Sequence, residues 1–207
     1  MSEPEKFKVN VYIDGFNFYY GLKAKQWRKF YWLDIVAFYE LFMKENQVLN
    51  KVYYCTAKPT DIGKKNRQGA FFKANSLNPK FELVFGKFLE KDVCYDGQWY
   101  KTFEEKQTDV NIAVKLLRGV FLCECDSSII VSGDSDLAPA IKLANEIDPS
   151  HKIFVHFPPE RGSITLEKCS HAIIHLHRYE ARFNKCLLPD EVQMPNGSNL
   201  TKPDHWI

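Results

Sequence analysis

The segment "SSIIVS", residues 127–132, narrows the choice of fold more than any other stretch of the chain. Its apolar residues run on without the polar alternation of a half-buried strand, so both faces must be covered by other elements. A strand covered on both faces belongs to a parallel sheet, and a parallel sheet needs helical crossovers between its strands. The residues that follow fit: "GDSD" is a turn and "LAPAIKLANEI" a helical pattern. The same alternation runs along the whole chain, with strand patterns at "KVNVYI", "KVYYCTA", "KFELVFGKFLE", "KIFVHF" and "AIIHL". The expected fold is therefore α/β, a doubly wound, mostly parallel sheet with helices on both faces.

Between the strands, helical spacing is read over "FYYGLKAK", from Leu33 to Asn46, over the basic stretch at residues 61–76, over residues 108–121 and near "SITLEKC". In the helix at 108–121, Val110, Ala113, Val114 and Leu117 are expected to face the core. "QWYKTFEE" reads as a short strand hairpinned across "YDG". A chain of 207 residues suits one domain with appendages. Residues 1–7 are expected to be a disordered N-terminus, 8–187 the domain, and 188–207 a loose C-terminal extension, since Pro189, Pro195 and Pro203 interrupt it.

Charge is nearly balanced, with 28 Lys and Arg against 26 Asp and Glu, so the total says little about partners. Its distribution says more. Residues 51–80 carry Lys51, Lys58, Lys64, Lys65, Arg67, Lys73 and Lys80 against the single acid Asp61, which points to a polyanion. The six cysteines (55, 94, 123, 125, 169 and 186) lack paired C-x2-C spacing, no signal peptide is recognisable, and no apolar run reaches the roughly 18 residues of a membrane span. A cytoplasmic protein with free thiols and no membrane association is expected.

The chemistry lies in the acids. Asp14 follows the first strand, Asp134 and Asp136 follow "SSIIVS", and Asp109 opens the helix at 108–121. In an open parallel sheet ligands bind beyond the carboxyl ends of the strands, and all four acids are expected at that edge. Taken singly, Asp134 could be a helix cap, Asp109 a first-turn acid and "DGFN" a turn. Taken together, four carboxylates need a cation, and oxygen ligands without convergent His or Cys select Mg2+ or Mn2+, with zinc unexpected. One or two such ions can activate water and stabilise charge on a phosphate. Asn17 and Ser132 are placed to hydrogen-bond a ligated water or the scissile phosphate. Substituting Asp14 or Asp134 by Asn is expected to abolish cleavage and leave folding intact by relieving repulsion.

"VYIDGFNFYYGLK", "EEKQTDVNIAVKLL" and "IIVSGDSDLAPAIKLANE", in this order, resemble the NYN domain family and its LabA-like branch, within the PIN-like nuclease superfamily. The likeness runs from about residue 8 to residue 178. It implies a metal-dependent ribonuclease-like site, with Asp14, Asn17, Asp109, Ser132, Asp134 and Asp136 on the family's motif positions. It also implies supporting roles for Glu105 and Lys106, and a closing segment in which Arg161 and Ser163 approach a phosphate.

The expected activity is hydrolysis of RNA phosphodiesters, single-stranded and endonucleolytic by preference. Lys58, Lys64, Lys65, Arg67 and Lys73 would contact phosphates, and Phe16, Phe18, Tyr19 or Trp27 would stack on bases. For the basic helix a solvated face is the competing reading, and for the aromatics core packing is. A different class also fits: an RNA- or protein-binding regulatory module whose acidic site binds metal but is weakly active or inactive. A phosphatase with an aspartate nucleophile does not fit, because Phe16 stands where its second acid is needed. A homodimer or a protein partner is left open.

Overall fold

The computed structural model describes residues 6–59 and 61–206, apart from the side chains of 103–105. Strands β1 (Phe7–Asp14), β2 (Gln47–Thr56), β3 (Phe81–Phe85), β6 (Ser127–Val131), β7 (Lys152–Phe157) and β8 (Ala172–His175) form one sheet in the order β3-β2-β1-β6-β7-β8. Every pairing in it is parallel. From β1 the chain first builds outward through β2 to β3, then returns to add β6 on the other side of β1. The strand order therefore reverses between β1 and β6, and a crevice opens beyond their carboxyl ends.

Both faces are covered, as "SSIIVS" required. Alternate residues of β1 and β6 serve opposite cores: Val9, Val11, Ile13, Ile129 and Val131 join one apolar cluster, and Tyr12 and Ile130 the other. The first cluster includes side chains of α1 (Gly15–Ala24), α2 (Ile35–Glu40), α3 (Ile62–Asn75) and α7 (Glu180–Lys185). The second takes α4 (Thr108–Phe121), α5 (Ala138–Ile147) and α6 (Ile164–Cys169). Among the described residues no helix is long and apolar enough to cross a membrane.

Several details depart from the sequence reading. The stretch read as one strand across "KFELVFGKFLE" breaks at Gly86. Its first half is β3, and its second half becomes β4 (Lys87–Tyr95), paired antiparallel with β5 (Gln98–Lys106) outside the main sheet. In α4 the buried stripe is Ile112, Leu116 and Val120, while Val110 and Val114 are exposed. The helix is apolar on more than one side, so periodicity could not choose its inner face. The helix expected from Leu33 to Asn46 shrinks to α2.

The C-terminal segment differs most. Instead of a loose extension, it forms the hairpin of β9 (Glu191–Gln193) and β10 (Asn199–Thr201), and Trp206 packs into the first core. The Trp206 ring lies 5.9 Å from that of Tyr31, 6.1 Å from Trp32 and 6.5 Å from Phe71. The Trp32 indole N–H donates to the Pro189 carbonyl at 2.8 Å, which ties the start of the segment to the core as well. At the other end β1 begins at Phe7, within the expected disordered stretch, and residues 1–5 lie outside the described residues.

Candidate functional site

Asp14 is the last residue of β1 and the N-cap of α1, where its Oδ1 accepts the Asn17 N–H at 2.9 Å. Its Oδ2 accepts the Ser132 hydroxyl at 3.0 Å. Ser132, immediately after β6, is fully buried, and its Oγ also accepts the Asp134 N–H at 3.0 Å. The Asn17 side-chain oxygen accepts the Gly133 N–H at 3.0 Å, and Asp134 Oδ1 accepts the Asp136 N–H at 3.0 Å. These bonds sew the loops after β1 and β6 together at the switch point. Asn17 and Ser132, expected to face a ligand, thus hold the two loops in register.

Two glycines in the motifs have a steric cause. A Cβ on Gly15 would stand 2.5 Å from Tyr54 Cε1 and 2.9 Å from the Cys55 carbonyl oxygen, so α1 can start against β2 only with glycine there. A Cβ on Gly133 would come within 3.0 Å of Arg161 Cβ and 3.1 Å of the Gly162 nitrogen. That contact places Arg161, exposed on the loop before α6, beside the β6 turn. Ser163 caps α6 by accepting the Leu166 N–H.

Asp14 is only 4% exposed. Buried carboxylates must be hydrogen-bonded, and the Asn17 and Ser132 donors meet that need. Their presence is felt nearby. Burial pushes the Cys55 thiol up to about 12, and both Asp14 and Asp109 add to the rise. Burial also raises the Tyr54 hydroxyl, with Asp14 contributing. Asp109 is half-buried in the first turn of α4, and its charge is felt at Cys55 near the end of β2. Asp134 is half-buried and Asp136 exposed. Lys106 ends β5 and is exposed, and the Glu105 side chain lies outside the described residues.

Among the described residues no three His, Cys, Asp or Glu side chains form a group that would hold a metal ion by themselves. Mg2+ does not demand such a cage. It keeps several waters and is held by one or two carboxylates together with substrate phosphates. The donor set here is all oxygen, each carboxylate oxygen can accept more than one bond, and the edge is open, so the residues fit a hard divalent ion. Capping and ligation are also compatible: the oxygens of Asp14 and Asp134 that satisfy N–H groups are aimed by doing so.

The basic helix divides its charges. Lys64 and Arg67 line a cavity of about 290 Å³ between α1 and α3, while Lys58, Lys65 and Lys73 line a second cavity of about 440 Å³ on another side of α3. The lining of the first cavity includes Gly15 and Phe16, which follow Asp14 in the chain, and Tyr19, Tyr20, Tyr31, Phe71 and Trp206. Phe16 is half-buried and meets Phe88 edge-on at 5.8 Å. Burial pushes the Tyr31 hydroxyl up to about 12, with Tyr19 adding to it. Of the other aromatics weighed for stacking, Phe18 is buried against Phe183, and Trp27 packs on Phe30 and Phe183. Tyr20, Tyr31 and Trp206 were missed in the sequence, although Tyr20 shares a helix face with Phe16.

The NYN domain family model matches residues 8–174. The chain belongs to the NYN domain family. This family is one of PIN-like nucleases, enzymes that act on nucleic acids and usually use divalent metal ions. The six-stranded parallel sheet of this NYN domain is the fold expected of it. The domain is 24% identical over 180 residues to the 6-hydroxy-3-succinoylpyridine 3-monooxygenase of Pseudomonas putida, covering 68% of this chain and 56% of the relative. It thus spans little more than half the length of that curated relative. In fold it resembles a crystal structure of a protein of unknown function from Vibrio parahaemolyticus, with a TM-score of 0.56 and 18% identity over 84% of this chain and 95% of that one.

Proposed function

We propose that this NYN domain, of the LabA-like branch, is a Mg2+- or Mn2+-dependent endoribonuclease that hydrolyses phosphodiester bonds in single-stranded RNA. The observation that carries the reading is the buried Asp14 carboxylate, held at the switch point by Ser132 and Asn17 with Asp134 on the adjoining turn. Asp14 and Asp134 would hold the ion, with Asp109 and Asp136 completing the acidic edge. Bound there, a divalent ion supplies activation of water and neutralisation of phosphate charge. Ser132 and Asn17 orient the acids. Arg161, beside Gly133, takes a phosphate oxygen, with Ser163, two residues on, capping α6. Lys64, Lys65, Arg67 and Lys73 on α3 and Lys58 on the loop before it supply phosphate contacts, and Lys106 supports the site from the end of β5.

The Pseudomonas relative's name raises a second reading, a seat for a small planar aromatic acid, and the aromatic cavity beside Asp14 is the observation that favours it. One experiment separates the two. Labelled single-stranded RNA and DNA oligonucleotides are incubated with the purified protein in EDTA, Mg2+ or Mn2+, with Asp134→Asn in parallel. Metal-dependent internal cleavage of RNA that disappears in the variant is the expected result. Absence of cleavage in every metal, with metal binding retained by calorimetry, would refute the enzyme and leave a binding module. Tight binding of a pyridine carboxylate without cleavage would favour the second reading.

A further inference from the structure

The cavity between α1 and α3 combines features that a packing gap does not need. At about 290 Å³ it lies just below the roughly 300–1,000 Å³ typical of small-molecule sites, a size for one small ligand. On α1, Phe16, Tyr19, Tyr20 and Lys23 recur at helical spacing on one face, and Tyr19 and Tyr20 remain 37% and 44% exposed. Large aromatic faces left open to water beside a cavity are surfaces on which a flat ligand can stack. The charged lining is Lys23, Lys64 and Arg67 against Asp61, and Asp61 Oδ1 is already taken by the Lys64 N–H at 2.7 Å. That lining suits a ligand that is anionic at one end.

Gln68 supplies the independent observation. It lines this cavity and the second one, and its side-chain Oε1 is buried with no hydrogen-bond partner among the described residues. A buried acceptor left unsatisfied is costly, so turning the amide onto a ligand in the cavity recovers energy the protein alone has lost. Since the amide can present oxygen or nitrogen, it suits a ring edge that carries donors and acceptors side by side. A flat face, a hydrogen-bonding edge and an attached anion together describe a nucleotide.

We infer that this cavity seats one nucleotide unit, its base stacked among Phe16, Tyr19 and Tyr31, its edge on the Gln68 amide and its phosphate on Lys64 and Arg67. If the unit belongs to a strand, which rests on the nuclease reading, the neighbouring phosphodiester lies towards Asp14, the residue before Gly15 in the cavity wall. A free mononucleotide has the same chemistry, and the test tells the two apart.

Calorimetry of the full chain in EDTA, with AMP, UMP, ribose 5-phosphate and nicotinate, reads the cavity without any metal. The nucleotides are expected to bind, with ribose 5-phosphate and nicotinate at least about tenfold weaker, and Gln68→Ala and Arg67→Ala are each expected to weaken AMP or UMP by about tenfold. Both positions are only half-buried, and neither side chain belongs to the apolar core, so the variants should fold. Equal binding of ribose 5-phosphate or nicotinate, or unchanged affinity in both variants, would overturn the assignment. Displacement of the mononucleotide by a short single-stranded RNA assigns the site to a strand, and lack of displacement assigns it to a free nucleotide. RNA cleavage without mononucleotide binding would sink this inference alone. Mononucleotide binding without cleavage would sink the nuclease reading alone.

Discussion

Replacing Ser132 by alanine tests the switch-point web directly. The hydroxyl donates to Asp14 Oδ2 and accepts from the Asp134 N–H, both at 3.0 Å, and it is fully buried. A hydrogen bond to a charged group contributes about 1.5–3 kcal/mol, and water cannot readily replace it at a carboxylate as buried as Asp14. Asp134 as a whole is only half-buried, so losing the acceptor of its N–H adds at the low end, about 1 kcal/mol. The hydroxyl is small, and cavity cost is minor. The sum is about 3 kcal/mol, which for a chain of this size lowers Tm by roughly 6–12 °C. Urea unfolding should show the loss as a lower midpoint with unchanged m. A loss under about 0.5 kcal/mol would mean that the web does not hold the loops. By the same reasoning Asp14→Asn is not neutral, as relief of repulsion would make it. The new amide would donate to Ser132 Oγ, and the hydroxyl proton would lose its acceptor, so about 1 kcal/mol of destabilisation is expected alongside lost activity.

His156 is buried against the rings of Tyr39 and Phe42, and burial, with Arg182 second, pushes its pKa from 6.5 down to about 3. The folded state then binds fewer protons than the unfolded chain between those values, so its contribution is full above pH 6.5 and is lost as pH falls. Near pH 5 the loss is about 2 kcal/mol, and His156→Phe should flatten the pH dependence of urea midpoints over that interval; an unchanged slope would refute the burial argument. Trp206→Ala removes a ring that packs on Tyr31, Trp32 and Phe71 and should cost about 3 kcal/mol by thermal unfolding, whereas a change below about 1 kcal/mol would return the tail to a loose extension. Replacing Lys64, Lys65 and Arg67 together by Ala should weaken RNA binding and make the salt slope shallower by about 2, at about 0.7 per phosphate contact; an unchanged slope would mark α3 as a solvated face.

Much of the site could be read in the chain because its constraints are local. A buried parallel strand announces itself by an unbroken apolar run, and an acid directly after it must lie at the carboxyl edge, so "VYIDG" and "IIVSGDSD" located Asp14, Asp134 and Asp136 without coordinates. The glycines beside them carry the same information, since Gly15 and Gly133 stand where a Cβ would collide with β2 and crowd the Arg161 loop. Sequence alone also determined the parallel α/β class and the segregation of positive charge around α3. Which face of α4 turns inward, which aromatics gather beside Asp14, and whether Trp206 docks were decided only in three dimensions. Each depends on contacts between segments far apart in the chain, where several apolar faces compete and periodicity favours none. The split of the basic residues between two cavities, and the stranded amide of Gln68, follow from how α3 packs between α1 and the C-terminal hairpin, which no spacing within one helix encodes.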